Sequence, residues 1–184
     1  LREDRKAVIN FLNRFAHSVA SAGGNIDSTV ISLGRFIVDS IHAESLCIFF
    51  LKEDGVTLEA VTSIGAFPEM HAFDSGKAVN SSSIRDRKVI VGEGFFGEIA
   101  KGMEPRLISD LQLSESQREA GIKSTMVVPI VLFNELKGMI CAVNSKTSDG
   151  LFEEEDLEMF GSVSVMATLA KNMIETYGRM AEQQ

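Results

Sequence analysis

Little in this chain would attract a polyanion. Its 18 basic residues are outnumbered by 26 acidic ones, for a formal net charge of −8 and a pI near 4.9. Phosphates would be repelled, so neither nucleic acid nor an anionic membrane surface is an expected partner. No apolar run approaches the roughly 18–20 residues that a membrane span needs, and the opening LREDRK is no signal peptide. We therefore expect a cytoplasmic segment without membrane contact. Cysteine is scarce: Cys47 and Cys141 each lie inside an apolar, strand-like run, the usual place of a reduced, buried thiol. A disulfide framework is not indicated. Tryptophan is missing and there is one tyrosine, against 12 phenylalanines. A leading methionine is missing too, from which we expect a piece of a longer protein. With 45% hydrophobic and 24% charged residues, the 184 residues suit one globular domain with helical extensions, and disorder is excluded as the default.

What is present is organised around Ser124–Asn144, STMVVPIVLFNELKGMICAVN. Two apolar runs, Thr125–Leu132 and Met139–Val143, flank the more polar Phe133–Gly138. Both runs are short, rich in Val, Ile and Met, and bounded by turn formers, which predicts two buried strands. So short a connection permits only an antiparallel pair, since a parallel return needs about a dozen residues or more. Pro129 has no N–H to give a ladder, so a bulge or interruption is expected there.

Upstream, Val8, Leu12, Phe15, Val19 and Ala22, widened by Phe11, predict an N-terminal helix that Gly23-Gly24 stops. Asn25 or Asp27 can cap a second helix, whose Ile26, Val30, Leu33, Ile37 and Ile41 share one face. Ser45–Leu51 is almost continuously apolar, as a central strand covered on both faces would be. Lys52–Gly55 supplies a hairpin turn, and Val56–Ile64 returns. The stretch from Gly65 to Lys88 is long for a connection inside a compact domain and predicts a lid or binding loop. Within it, Phe67, Met70 and Phe73 could fold over a cavity as a short helix. His17 and His42 lack partners at ligand spacing, and His71, in the lid, would need a second ligand that the sequence does not place. No metal site is assigned.

Lys88–Val91 predicts a short strand, followed by Gly92-Glu93-Gly94-Phe95-Phe96-Gly97 and a helix through Met103. With Asp110 downstream, this matches the spacing of a dinucleotide fingerprint. That fingerprint belongs to a parallel βαβ unit, whereas the hairpins here are antiparallel, so we reject it. What remains is a helix start whose free N–H groups favour an anion and whose glycines permit close approach. Arg106–Asp110 predicts another strand, and Ser114–Ala120 a short helix with Ser114 and Gln117 as a capping box. A long helix is expected from about Phe152 to Glu182, its Glu153–Asp156 run complementing the helix dipole rather than binding metal. Along it, Val163, Met166, Ala170, Met173, Tyr177 and Met180 follow 3,4,3,4,3 spacing. Such a stripe can pack in the core of its own chain or form a dimer seam. We expect a mixture, and hence a homodimer.

Taken in order, VIVGEGFFGEIA, RLISDL, STMVVPIVLFNELKGMICAVN and FEEEDLEMF resemble a GAF domain over about Asn25 to Met173. The resemblance implies an α+β fold: a six-stranded antiparallel sheet with the N- and C-terminal helices on one face. Loops and short helices form a small-molecule pocket on the other. Residues 1–24 would then be a linker or dimer helix, and 25–184 the domain, including the C-terminal helix 152–182. For the pocket, the resemblance points to Phe95, Phe96, Gly97, Asp110, Met126, Val128 and Cys141, and the residue pattern adds Phe49, Ser63, Phe67 and Phe73. For any one apolar member, plain core packing is the competing explanation.

Subtypes within the family leave partial traces. Members that bind cyclic nucleotides carry Asn-Lys and Phe-x-x-x-Asp-Glu. Asn144, Phe152 and Asp156 match, but Ser145 stands where Lys belongs and Leu157 replaces Glu. No cysteine lies between Gly65 and Lys123, so no covalent tetrapyrrole is expected. Thiol catalysis would need an activated, accessible cysteine, and Cys47 and Cys141 sit among apolar residues. The expectation is a non-catalytic sensor that binds an unidentified small molecule and signals through its terminal helices to an output domain. The alternative is a ligand-free dimerisation spacer whose interior is filled by phenylalanine, methionine and leucine.

Overall fold

The computed structural model describes residues 26–74 and 87–182, preceded by the isolated positions 6, 9, 10, 13, 14 and 17. Those six are helical and exposed, whereas Val8, Leu12, Phe15, Val19 and Ala22 lie outside the described residues. The elements are α1 (Ile26–Ser40), β1 (Ala43–Leu51), β2 (Thr57–Ile64), a 3-10 turn (Met70–Phe73), β3 (Lys88–Ile90), α2 (Gly94–Gly102), β4 (Arg106–Ser109), a second 3-10 turn (Asp110–Gln112), α3 (Glu115–Glu119), β5 (Ser124–Leu132), β6 (Glu135–Ser145) and α4 (Glu154–Glu182). The strands form one antiparallel sheet in the order β3-β2-β1-β6-β5-β4. The fold is α+β, as the pattern of elements implies.

The central hairpin is tighter than its sequence suggests. β5 and β6 are joined by Phe133 and Asn134 alone, both left-handed (φ 53° and 62°). A two-residue turn of that hand matches the natural twist of the strands, so the residues Glu135–Gly138 join the ladder. Pro129 pairs with Met139, and the register shift comes one step later, at Ile130/Val131, where Lys137 is the extra residue. β4 ends its pairing at Val127. Pro129 therefore lies where β5 has become an edge, and its missing N–H costs no bond.

Alternation of side chains divides the interior in two. Leu46, Ile48, Met126, Val128, Ile140 and Ala142 face α1 and α4, where they meet Val30, Leu33, Ile37 and Ile41 of the predicted stripe. Each fully buried side chain of this size contributes about 1.5–3 kcal/mol. Asp27 lies within α1 and is not its cap, and Asn25, the other expected cap, lies outside the described residues. α4 has 29 residues and opens with Glu154, Glu155 and Asp156, whose charges suit its positive end.

Three members of the expected dimer seam are core. Val163, Met166 and Ala170 are buried in the same cluster as α1, and Met173 packs half-buried against it. The 3,4 spacing is the same for a helix packing on its own chain as for one packing on a copy, and here the chain's own α1 and sheet cover it. Met180 is exposed, and the side chain of Tyr177 is outside the described residues. No helix among the described residues is long and apolar enough to cross a membrane.

Candidate functional site

The opposite face of the sheet carries the other half of each strand. Cys47 and Phe49 of β1, Leu58 and Ala60 of β2, Val127 of β5, and Met139, Cys141 and Val143 of β6 all point there. We call it the lid face, because the chain leaving β2 folds back over it. Gly65 turns left-handed (φ 73°), and a Cβ there would lie 2.3 Å from the Glu44 carbonyl oxygen. The 3-10 turn follows, with Met70 and Phe73 in it and Phe67 before it, and all three are buried. The lid segment described is Phe67–Asp74; the expected lid from residue 75 to 86 lies outside the described residues.

Aromatic rings fill the space beneath. Phe73 lies 4.5 Å from Phe96 and 5.9 Å from Phe67 between ring centroids, and Phe95 stands edge-on to Phe96 at 5.0 Å. Offset and edge-to-face pairs of this kind add roughly 0.5–1.5 kcal/mol each beyond the area they bury.

Polar side chains then fasten the lid from three directions. Arg87 Nη1 donates to the Pro68 carbonyl and Nη2 to the Phe67 carbonyl, each at 2.9 Å, with the guanidinium 5.0 Å above the Phe67 ring. Gln117 Nε2 of α3 donates to the Phe73 carbonyl at 3.0 Å. The Asp74 carboxylate accepts from the Phe95 N–H of α2 at 2.8 Å. This last contact corrects the expectation for the glycine-rich turn. The anion at the helix start is the chain's own Asp74, and Gly94 leaves room for it, since a Cβ there would meet its Oδ1 at 2.7 Å. Gly97 is required by close packing as well: its Cβ would lie 2.2 Å from the Ile90 carbonyl oxygen.

The lid face therefore gathers Phe49, Phe67, Phe73, Phe96 and Cys141, with Phe95 half-buried at its edge and Ser63 opposite Cys47. Two expected floor residues belong elsewhere. Met126 and Val128 face α1 and α4, and Val127 between them faces the lid. A shift of one residue moves a strand's whole apolar set to the other face, and a strand buried on both sides gives no alternation from which to set the phase. Asp110 is also apart. It is exposed, left-handed (φ 37°), and borders an open cleft of about 300 Å³ with Leu113, Arg118, Ile122, Lys123 and Asp149.

Arg87, Asp74, Gln117 and Thr125 were not anticipated. In the sequence Gln117 reads only as half of the Ser114 capping box, which it does form; the same side chain also reaches the lid. Thr125 faces the lid side between Ile108 and Val143, fully buried, and its Oγ1 has no hydrogen-bond partner among the described residues. Burial pushes the Cys47 thiol up to about 12, opposed by the charge of nearby Arg87, and burial likewise pushes Cys141 well above its ordinary value. Among the described residues, no group of three or more His, Cys, Asp or Glu could hold a metal ion.

In sequence, the family model described as the GAF domain matches residues 34–170. No curated protein matches the chain. In fold, the chain is similar to the GAF domain of a phosphoenolpyruvate-protein phosphotransferase from Acinetobacter, at 15% identity and a TM-score of 0.66, covering 94% of this chain and 98% of that one. It is similar also to free methionine-R-sulfoxide reductase from Neisseria meningitidis in complex with its substrate, at 12% identity and a TM-score of 0.63, covering 92% and 90%. A third similar structure is the second GAF domain of DevS from Mycobacterium smegmatis, at 17% identity and a TM-score of 0.58, covering 82% and 98%. At these identities the likeness concerns the fold alone.

Proposed function

The chain belongs to the GAF domain family, and from that premise we propose that it is a non-catalytic regulatory module that binds a small acidic molecule on its lid face. The observation that carries this reading is Arg87. It is 8% exposed and is the only charged side chain among the buried described residues. No carboxylate of the described residues pairs with it. Taking a cation out of water costs several kcal/mol, and neutral carbonyls offset only part of that. A ligand carboxylate would supply a counter-charge that no described residue gives, and the Thr125 hydroxyl, without a partner among the described residues, offers a second polar contact on the same face.

Such a ligand would compete for the guanidinium with the Phe67 and Pro68 carbonyls and so loosen the lid. It can act as a signal only by binding the two lid states unequally. The sheet then passes the change to α1 and α4, and onward to an output domain. In this reading 25–184 is the domain and 1–24 a linker, in a reducing, cytoplasmic setting that suits two free thiols. A second copy would dock on the outward stripe of α4, where Val165 and Leu169 are 57% and 43% exposed.

Thermal shift against a panel of small mono- and dicarboxylates tests the ligand. A ligand at 100 times its Kd should stabilise the fold by about 2.7 kcal/mol, and Arg87→Met should abolish that shift while retaining native circular dichroism. A null panel, together with a bare mass in native mass spectrometry of the purified protein, would remove the ligand from the account.

The second reading, a ligand-free dimerisation spacer, is favoured by the stacked Phe67, Phe73, Phe95 and Phe96. Methionine sulfoxide reduction, the activity named for one similar structure, is the third. It is opposed by thiols that are fully buried and held protonated.

A further inference from the structure

We infer that Cys47 and Cys141 form an oxidisable dithiol site, which a two-electron thiol oxidant such as hydrogen peroxide closes into a cross-strand disulfide between β1 and β6. The two are the only cysteines of the chain. They are directly opposed in the ladder of the sheet's two central strands, and both side chains point to the lid face. Opposed residues in an antiparallel pair have Cα atoms about 4.5–5.5 Å apart, and a disulfide takes Cα separations of about 4.4–6.8 Å. The bond therefore forms without moving either strand out of register. Opposed Cβ atoms typically lie about 4.5–5.5 Å apart and a disulfide takes about 3.5–4.5 Å, so a small adjustment of the two side chains closes the bond.

The two thiols are not equivalent. Burial raises both thiols, so a thiolate forms only once an opening of the lid admits water; the Arg87 charge, which lowers Cys47 alone, favours Cys47 as the attacking sulfur. Its sulfur bonds to one peroxide oxygen as the O–O bond breaks, leaving a sulfenic acid and a hydroxide that takes the proton of Cys141. The Cys141 thiolate then attacks the Cys47 sulfur, the S–S bond forms, and the S–O bond breaks. The hydroxide released accepts the proton that Cys47 first gave up. Two thiols lose two electrons, and one peroxide becomes two waters. Both thiols are fully buried, so the oxidant must pass the lid, and peroxide is small enough to do so in a transient opening.

The test uses the native, reduced, full chain. It is treated with excess hydrogen peroxide, quenched, then denatured and alkylated for intact-mass measurement. We expect a monomer that has lost two hydrogen atoms, takes up no alkyl groups, and regains two alkylatable thiols after dithiothreitol. Cys47→Ser and Cys141→Ser should each fail to show that loss. If native protein keeps both thiols alkylatable, if the disulfide joins two chains, or if it forms only in denaturant, the assignment is overturned.

Discussion

The two faces of the sheet are built from alternate residues of the same strands, yet they differ in kind. The helix face is sealed by α1 and the 29-residue α4 over a broad apolar cluster, beside which buried hydroxyls such as Thr62 and Ser164 also lie. The lid face is covered by short pieces: a four-residue 3-10 turn, the nine residues of α2 and the five of α3. It also holds both thiols and Arg87, the one buried charge among the described residues. Its cover is fastened by individual hydrogen bonds, each replaceable by a competitor. A continuous apolar seal opens only with the whole fold, whereas a latched cover can open by itself. The contrast predicts that the lid face opens locally at a lower free energy than the helix face.

The largest expected effect is on the helix face. Met166→Asp buries an unpaired charge beside Phe160 and Ala170, and should leave no folded protein to test for dimerisation. Phe160→Ala should cost about 3–5 kcal/mol in urea unfolding, because α1 and α4 hold the cavity open. Phe73→Ala on the lid should cost at least about 1 kcal/mol less, since a short cover can settle into the gap. Equal losses would erase the distinction between the faces.

Next comes the latch. Gln117→Ala leaves the buried Phe73 carbonyl without its donor and should cost about 1–3 kcal/mol. Peroxide oxidation of Cys47 and Cys141 should then become several-fold faster, and an unchanged rate would place the oxidant's path elsewhere.

Much of this fold is legible in the sequence, because short apolar runs, turn residues and caps are local signals. The Ser114–Gln117 capping box, the buried stripe of α1 and the aromatic lid all follow from spacing. The site was harder to see. β5 is buried on both faces from Ser124 to Ile130, so nothing in its sequence indicates that Val127, rather than Met126 or Val128, faces the lid. Arg87 and Asp74 stand in polar stretches, and only the chain's return brings them to Phe67 and Phe95, 20 and 21 residues away. The stripe of α4 has a correct period, but no period reveals whose surface covers it.

A pH prediction separates the faces by chemistry. Folded Cys47 titrates near 12, above the ordinary 9.0 of the unfolded chain, and Cys141 is raised in the same direction. Above pH 9 the unfolded state loses protons that the folded state keeps, so stability should fall as pH rises from about 9 towards 12. Below pH 9 the contribution is fully present. In Cys47→Ala, urea titrations across that range should give a shallower decline.

The smallest expected change in stability comes from the outward stripe. Leu169→Asp should alter unfolding by no more than about 0.5 kcal/mol, as for other exposed positions. Sedimentation should nonetheless show a dimer converted to monomer, and a dimer that persists would remove Val165 and Leu169 as its contact.

Native-state hydrogen exchange tests the contrast most directly. Amides of α1, β1, β6 and α4 should exchange only through global unfolding, while those of Phe67–Asp74 should exchange through a separate opening of lower free energy, made easier by Gln117→Ala. Lid amides as protected as those of α4, and insensitive to that substitution, would contradict it and leave a sealed spacer.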